Sequence, residues 1–249
     1  MEIENKKIRK IIRERIRPRI WDPKYIMTRS HLDTLRRNIE NKKFDRILDL
    51  GCGYKPFEKF FNDSIEYIGI DFSENSYADH ILDLNEEAIE YQDEYFDLVI
   101  ISEALEHIYK IEHFLREAVR VLKSDGYIFI STPFAFHNHG TPYDFYRFTE
   151  FFYKKKLIEI GLQIKEIKKS NIILTTPFII FNIIVTGLPF PSFAKKSFNT
   201  INNLFCMVLE KVLNPTINPI IRKIPKSEIR IFALPFGIAV WAKKLSKCH

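Results

Sequence analysis

Five short apolar runs, each stopping at a polar residue or a glycine, constrain the fold more than any other feature of this chain. They occupy residues 46–50, 67–70, 80–82, 96–101 and 127–130. Runs of this length are typical of buried strands, and helical or loop segments separate them. The pattern predicts an α/β fold whose parallel sheet is covered by helices on both faces.

The segments around these runs predict the helices and two more strands. Helical patterns cover roughly residues 8–16, 30–39, 111–122 and 151–160, with Thr149 as an N-cap and Gly161 ending the last helix. Residues 162–167 alternate apolar and polar as an edge strand does, and residues 236–242 read as a last, buried strand. We therefore expect N-terminal helices over residues 1–43, a core over 44–170, an insertion over 171–232 and the last core strand and tail over 233–249.

Charge is concentrated at the N-terminus. Of a net charge of +6, the first twenty residues carry +5, from eight basic and three acidic side chains. Because the rest of the chain is nearly neutral, we expect no nucleic-acid partner. Charges recur throughout this segment, so it does not resemble a signal peptide, and three scattered cysteines indicate no disulfide framework. We expect a cytoplasmic protein.

The insertion is strongly apolar, and two interpretations of it stay open. Residues 170–194 include no charged side chain, and Lys195 and Lys196 follow. Pro177 and Pro189 leave room for a helix that is too short to cross a bilayer easily. The segment is either a lid over the active site or, as we favour, a peripheral contact with an anionic membrane surface, which the N-terminal basic helix joins.

Residues suited to ligand binding follow the predicted strands. Asp49, Gly51 and Gly53 surround the end of the first strand, Asp71 ends the second and Asp83 ends the third. Ligands bind at the carboxyl ends of parallel strands, so we expect these residues to share one site. Glycines allow a tight turn and close approach, and a carboxylate twenty residues after Gly51 is well placed for ribose hydroxyls.

The first turn does not suit a dinucleotide. That site needs G-x-G-x-x-G, and Pro56 stands where the third glycine would be. Asp49 repels phosphate but suits a cationic amine. The pattern therefore favours a nucleoside joined to an amino acid.

The sequence resembles class I S-adenosylmethionine-dependent methyltransferases. Residues 47–53, 67–71, 96–100, 105–107 and 120–127 match successive motifs of that family in order, and the resemblance covers about residues 44–170 and the last strand. It implies a Rossmann-like, seven-stranded, mostly parallel sheet with an antiparallel last strand, here with an apolar C-terminal insertion before that strand. It also implies S-adenosylmethionine as cofactor. One departure is Lys55, where many members have another glycine.

The resemblance assigns nine cofactor-binding residues, although each taken alone has a structural alternative such as a helix cap or a turn. They are Gly51 and Gly53 beneath the amino-acid part, Asp49 at its ammonium through water, Asp71 at the ribose, Phe72 along the adenine, Asp83 and Leu84 at the adenine edge, and Ser102 and Glu103 on the methionine side.

The segment 133–149 is a loop after the fifth strand that is dense in His, Tyr, Asp and Arg. It is similar to a segment of a methyltransferase subgroup associated with surface glycans and glycolipids. Methyl transfer to a hydroxyl needs alignment and proton removal. His139 is the first candidate for the base, followed by His107 and His137, and Asp144 is a candidate to orient a histidine or bind a sugar hydroxyl. Tyr143, Tyr146 and Arg147 are candidates for acceptor binding.

Alternatives stay open at several of these positions. His107 is equally suited to capping a turn, and Arg147 to pairing with a loop carboxylate. The imidazoles, Asp144 and the nearby Glu106 raise the question of a metal ion, but no familiar ligand spacing is present, so we expect none.

We therefore expect an enzyme that O-methylates a glycan or glycolipid intermediate at the inner face of a membrane. A small-molecule or quinone methyltransferase is the alternative within the same class. A non-catalytic module that only binds the cofactor is the alternative from another class.

Overall fold

A seven-stranded sheet forms the centre of the protein. The computed structural model describes residues 2–74, 76–170, 176–221 and 235–246. The strands are β1 Arg46–Leu50, β2 Glu66–Asp71, β3 His80–Ile81, β4 Phe96–Ser102, β5 Leu122–Pro133, β6 Leu162–Ser170 and β7 Gly237–Lys244. The helices are α1 Glu2–Ile16, α2 Tyr25–Ile39, α3 Ile111–Val121, α4 Glu150–Glu159, α5 Thr176–Gly187 and α6 Ser192–Ile221.

The strand order is β3-β2-β1-β4-β5-β7-β6. β1 is parallel to β2 and β4, whereas β7 is antiparallel to both β5 and β6. β6 lies at an edge and β7 is the last, antiparallel strand. The order turns back between β1 and β4, and their carboxyl ends form the crevice in which ligands bind in such sheets.

Alternate residues of each strand face opposite sides of the sheet, because side chains alternate along a strand. Ile47, Leu98 and Phe129 pack with Leu32 and Leu35 of α2. The residues next to them in sequence, such as Leu48, Val99 and Ile128, face the other side of the sheet. They belong to a second apolar cluster, to which α3 and α4 also contribute side chains. α1 covers the first face, since Ile16 is buried there. Helices on both faces therefore bury most residues of the central strands.

Two boundaries differ from the sequence-based prediction. α2 begins at Tyr25 rather than near residue 30. β5 begins at Leu122, directly after α3, because Leu122 pairs with Phe96 before the register shifts to Tyr127 opposite Leu98. The residues expected to form a turn, 123–126, thus form an irregularity within a paired strand.

The predicted insertion forms a helical hairpin, α5 and α6, within its described part. Residues 171–175 and 222–232 of the predicted insertion lie outside the described residues. One face of the hairpin is buried, where Ile179 and Cys206 pack with Ile26, Met27 and Phe236. Within the described ranges, none of the helices combines the length and apolarity that crossing a membrane needs.

Buried asparagines fix the hairpin against the segment between α1 and α2. Asn182 donates to Asn203 Oδ1 over 2.9 Å, and Asn202 donates to Asn182 Oδ1 over 2.8 Å. Asn203 in turn donates to the Ile20 carbonyl over 2.6 Å. Because buried amides need partners, this arrangement specifies one position for the hairpin.

Candidate active site

The turn after β1 is shaped by two glycines in the left-handed region. Gly51 has φ 73° and Gly53 has φ 52°. A Cβ atom on Gly51 would lie 2.4 Å from the Ala104 Cβ, so no other residue fits there. The Gly53 N–H donates to Asp71 Oδ2 over 2.8 Å, and the Ser73 N–H donates to Asp71 Oδ1 over 3.0 Å. Asp71 therefore holds the first two strand ends together.

Lys55 adopts the conformation that glycine favours. Its φ is 46°, in the left-handed region, directly before a 3-10 turn at Pro56–Phe60. The Lys55 ammonium pairs with Asp79, whose Oδ2 also accepts the Gly69 N–H over 2.7 Å. Lys55, which departs from the family motif, thus keeps the backbone conformation that a glycine would adopt. Its side chain adds an ion pair with Asp79.

A pocket of about 410 Å³ lies at these strand ends. This is within the usual range for small-ligand sites. Eight residues predicted for the site line it: Gly51, Asp71, Phe72, Asp83, Leu84, Glu103, His107 and Tyr143. Asp49, Gly53 and Ser102 are not in its wall. Sequence reasoning missed part of the wall, namely Ile81, Leu82, Asn85, Glu87, Ala104, Ile108 and Phe114.

Aromatic and polar groups frame the mouth of the pocket. The Phe72 and Tyr143 rings lie 5.8 Å apart, and both are exposed. Hydrogen bonds from the Asn85 N–H and amide keep the pKa of Asp83 below its usual value. The exposed rings offer stacking surfaces, and the ionised Asp83 offers an acceptor, as a purine with an amino group requires.

Asp49 is buried behind the turn rather than in the pocket wall. It is 1% exposed and accepts a 2.6 Å hydrogen bond from the Tyr67 hydroxyl. Burial raises the pKa of Asp49 to about 7, although the Tyr67 hydrogen bond opposes the shift. A role at a ligand ammonium therefore requires water in between, as the family motif implies.

Ser102 is the last residue of β4, and Glu103 directly follows it. Glu103 has φ 54°, and its carboxylate pairs with the His31 Nδ1 of α2 at 3.3 Å. Burial opposes ionisation of Glu103, but the contact with His31 outweighs it and lowers its pKa. Ser102 Oγ lies 2.9 Å from Ser131 Oγ. His31 is a missed neighbour of the site, and only its single imidazole in a helical pattern signalled it in the sequence.

Arg147 and Asp144 clamp the loop after β5. Arg147 binds both Asp144 oxygens, at 2.6 and 2.8 Å, and donates to the His137 carbonyl over 3.2 Å. This hydrogen-bonded pairing lowers the pKa of Asp144 although burial opposes it. Asp144 also accepts the His139 N–H over 2.9 Å. Arg147 was a candidate either for acceptor binding or for pairing with a loop carboxylate, and in the structure it makes the second of these contacts. The Arg147–Asp144 pair orients His139.

Tyr146 also contacts the protein itself. Its hydroxyl donates to the Tyr109 carbonyl over 3.2 Å, and its ring stacks on Phe148 at 5.5 Å. Tyr143 differs from it, since its ring stands at the pocket mouth. Of the three residues suggested for acceptor binding, Tyr143 is the one with a free aromatic face in this arrangement.

Three side chains converge next to the pocket: Glu106, His107 and His139. The ring centroids of His107 and His139 lie 4.8 Å apart. His139 Nε2 lies 3.5 Å, and His107 Nε2 3.8 Å, from Glu106 Oε1. His137 is exposed and is not part of this cluster; burial and the charge of Lys24 lower its pKa.

Lys24, at the start of α2, approaches the same loop. Its ammonium lies 4.2 Å from the centre of the Phe136 ring, and Phe136 contacts the His139 ring edge-on at 5.0 Å. Burial lowers the pKa of Lys24, and the charge of Arg15 adds to this shift. Sequence reasoning missed Lys24, because it lies far upstream of the strand-end motifs.

The chain belongs to a methyltransferase domain family. The family model described as "Methyltransferase domain" matches residues 22–161, more than half of the chain. One curated relative, the ubiquinone biosynthesis O-methyltransferase of Bradyrhizobium diazoefficiens, is 29% identical over 144 residues. That match covers 45% of this chain and 56% of the relative, so the chain spans about half of the relative's length.

Solved structures share the fold. A SAM-dependent methyltransferase from Archaeoglobus fulgidus matches with TM-score 0.52 and 20% identity, over 94% of this chain and 98% of that one. The [4+2]-cyclase SpnF matches with TM-score 0.55 and 15% identity, over 90% of this chain and 85% of that one. The fold is therefore the Rossmann-like methyltransferase fold, and S-adenosylmethionine is the cofactor that the family implies. The cyclase shows that the fold alone does not determine the reaction.

The residues of the pocket fit that cofactor. Asp71 lines a space of suitable volume, the two rings at the mouth suit a purine, and Gly51 leaves room for close approach. Glu103 supplies negative charge in the pocket wall, because the contact with His31 lowers its pKa.

Proposed function

We propose that this protein transfers the methyl group of S-adenosylmethionine to a hydroxyl group of a glycan or glycolipid intermediate at the inner face of a membrane. The observation that carries the proposal is the adjacency of two sites. His107 lines the pocket that suits the cofactor and also belongs to the Glu106–His107–His139 cluster. An acceptor hydroxyl at the cluster is thus next to the end of the cofactor pocket.

Methyl transfer to a hydroxyl group needs the acceptor oxygen to be aligned with the methyl group, and it needs one proton to be removed. The acceptor oxygen forms a bond to the methyl carbon as the carbon–sulfur bond breaks, and the hydroxyl proton leaves. We assign His139 to proton removal or acceptor positioning, with Asp144 holding its ring through Nδ1 at 3.4 Å. Tyr143 lines the cofactor pocket, and Lys24 packs on Phe136, which contacts His139; both are the proposed acceptor contacts.

The outer face of the α5–α6 hairpin supports a membrane-held acceptor. The exposed apolar side chains are Phe181 and Ile184 from α5, Leu188 directly after α5, and Phe193, Ile201, Leu204, Phe205 and Val208 from α6. Phe193 is 75% exposed and Ile201 is 69% exposed. So many exposed large apolar side chains on two adjacent helices are uncommon on soluble monomers and are typical of helices that lie in a membrane interface.

Exposed basic residues on α1 and α6 fit an anionic surface. Lys6, Lys7, Arg9 and Lys10 are exposed on α1, and Lys196 is exposed on α6. Lys195 is used differently, since its ammonium donates to the Thr186 carbonyl over 2.8 Å at the end of α5. The hairpin also packs beside the acceptor loop, because Phe136 joins the same apolar cluster as Ile179 and Phe236.

A small aromatic or quinone-type hydroxyl compound is the second candidate acceptor. The curated relative supports it, since its name specifies O-methylation in ubiquinone biosynthesis. Such an acceptor is also apolar, so the same exposed face would serve its delivery.

Flotation with anionic vesicles, at low and at high salt, tests the membrane part of the proposal. We expect the intact protein to float at low salt and to float less at high salt, because screening weakens attraction to anionic lipid. A variant with Phe181→Ser, Ile184→Ser and Phe193→Ser should remain in the soluble fraction. Phe151→Ser is the matched control, since Phe151 is 70% exposed on α4, and this variant should float as the intact protein does.

Recovery of the intact protein in the soluble fraction at low salt would contradict the membrane contact. The hairpin would then be interpreted as a lid beside the active site.

A further inference from the structure

We propose that His31 is a positioning residue for the cofactor: by holding the Glu103 carboxylate, it fixes the main chain after β4 against the amino-acid part of S-adenosylmethionine. His31 lies on α2 and is not in the wall of the cofactor pocket, whereas Glu103 is in that wall. His31 therefore acts through Glu103. This role concerns the cofactor and does not depend on the acceptor of the proposed function.

The main chain of Glu103 has a conformation that needs support. Its φ of 54° lies in the left-handed region, which residues with a side chain rarely adopt. Such a conformation persists only where its surroundings enforce it, and it is typical of sites that hold a ligand. The Glu103 N–H donates to the Ser131 carbonyl over 2.8 Å, which fixes the residue at its main chain. The carboxylate is the second point at which it is held.

The side chain and the main chain of Glu103 have different surroundings. The side chain is 6% exposed, whereas the residue as a whole is partly exposed, so its exposed part is mostly main chain. Among the described residues, none donates a hydrogen bond to the Glu103 carbonyl. The next residue, Ala104, packs closely on the Gly51 turn. The Glu103 carbonyl is thus an acceptor beside the first turn that is available to the ammonium group of the cofactor.

His31 is itself fixed where it reaches the Glu103 carboxylate. Its side chain is 7% exposed, and its Nδ1 atom lies 3.3 Å from Glu103 Oε1. A Cβ atom on Gly237, the first residue of β7, would lie 2.9 Å from His31 Nε2, so a larger residue there would displace the ring. α2 and β7 together therefore hold the imidazole, and the imidazole holds the carboxylate.

The carboxylate has few other means of support. Burial opposes ionisation of Glu103, and the contact with His31, aided by the charges of Arg15 and Lys24, outweighs burial and lowers its pKa. A buried charge that loses its partner is costly. A cavity of about 20 Å³ adjoins the pair, which leaves space into which the carboxylate can turn. Without His31, we expect Glu103 to reorient or to take up a proton, and its main chain to lose this support.

A purely structural role for His31 and a positioning role predict different losses of binding. If His31 only stabilised the packing of α2, its removal would weaken every ligand of the pocket. If it positions Glu103, its removal weakens those ligands that carry the amino-acid part. S-adenosylhomocysteine, the demethylated product, carries that part, whereas 5′-methylthioadenosine keeps the adenosine and lacks the amino acid.

The test is calorimetric titration of the full chain with each of these two ligands. His31→Ala should weaken binding of S-adenosylhomocysteine by at least about tenfold and leave binding of 5′-methylthioadenosine within about twofold of the intact protein. His80→Ala is the matched control: it removes an exposed imidazole of β3 that contacts the Tyr91 hydroxyl, and it should bind both ligands as the intact protein does.

Two more variants test whether His31 acts through Glu103. Glu103→Ala should show the same selective loss, and adding His31→Ala to it should weaken S-adenosylhomocysteine binding no further, because the two residues act as one unit. His31→Asn should recover most of the affinity that His31→Ala loses, since its side-chain N–H group can take the place of the Nδ1 N–H.

Equal losses for the two ligands, additive losses in the double variant, or unchanged binding of S-adenosylhomocysteine by folded His31→Ala would overturn the positioning role. If His31→Ala fails to fold, His31→Leu takes its place, because it fills the site without a donor, and the same selective loss is expected. Failure of the intact protein to bind S-adenosylhomocysteine would overturn the role together with the cofactor pocket. The proposed function fails separately, since these titrations include no acceptor and absence of methyl transfer leaves their result unchanged.

Discussion

Replacing Asp71 tests the cofactor pocket most sharply, because the structure separates its two roles. One role is structural: its oxygens accept the Gly53 and Ser73 N–H groups at 2.8 and 3.0 Å. The other is the proposed binding of the ribose hydroxyls, for which each oxygen keeps a second lone pair. Asp71→Asn retains the size and one acceptor, whereas Asp71→Ala removes both.

The size of the effect follows from the kind of hydrogen bond. Bonds to a charged group are worth roughly 1.5–3 kcal/mol, and about 1.4 kcal/mol changes an equilibrium constant tenfold. Asp71→Ala should therefore weaken S-adenosylmethionine binding by about 10- to 100-fold. Asp71→Asn should also weaken S-adenosylmethionine binding. The NH₂ group of the asparagine would face one of the two backbone N–H groups of the turn, and two donors cannot form a hydrogen bond with each other.

Calorimetric titration with S-adenosylmethionine and with its demethylated product measures both variants. Asp63→Asn is the matched control, because it makes the same charge change at an exposed position and should bind as the intact protein does. Circular dichroism checks that each variant is folded. Unchanged affinity in a folded Asp71→Ala protein would refute the assignment of the pocket.

Three more predictions concern other parts of the account. His139→Ala should reduce turnover by roughly a hundredfold while cofactor affinity stays constant, and intact turnover on the true acceptor would contradict its role. Asn203→Ala should lower the free energy of unfolding by about 1–3 kcal/mol, measured in urea, because it leaves the Ile20 carbonyl and the Asn182 amide without their partner. The pKa of Asp49 rises from 3.8 to about 7 on folding, so the unfolded chain ionises first and stability is lost as pH rises across that range. Asp49→Asn should remove that loss, which is about 4 kcal/mol at most, and parallel pH profiles for the two proteins would count against it.

The sheet was predictable because two features of the sequence indicate the same strands. Each apolar run marks a strand, and the polar residue or glycine after it marks the carboxyl end of that strand. Ile47 and Leu48 fall on opposite faces of a sheet covered on both sides, so a continuous apolar run was the correct signal. Asp71 and Gly51 were recognisable as members of an ordered set at successive strand ends, although each taken alone had a structural alternative. The apolar run at residues 236–242 correctly predicted a last, buried strand, and its antiparallel direction was implied by the family resemblance.

The acceptor side was less predictable, because it depends on a loop and on distant side chains. No periodicity describes residues 133–149, so the orientation of Arg147 toward Asp144, and not toward the acceptor, depends on tertiary contacts. The convergence of His139 on Glu106 has the same origin. His31 reaches Glu103 from α2, and such a pairing across the sequence leaves no local signal.

The most direct test of the central claim is transfer of a labelled methyl group. The protein is incubated with trideuteromethyl S-adenosylmethionine and with separate membrane-lipid, glycan and soluble small-molecule extracts, and the products are analysed by mass spectrometry. The account predicts a trideuteromethyl ether on a hydroxyl group of a glycan or glycolipid, formed by the intact protein and Asp63→Asn and strongly reduced in Asp71→Ala. Cofactor binding without a labelled product in any extract would contradict it and would favour a non-catalytic binding module.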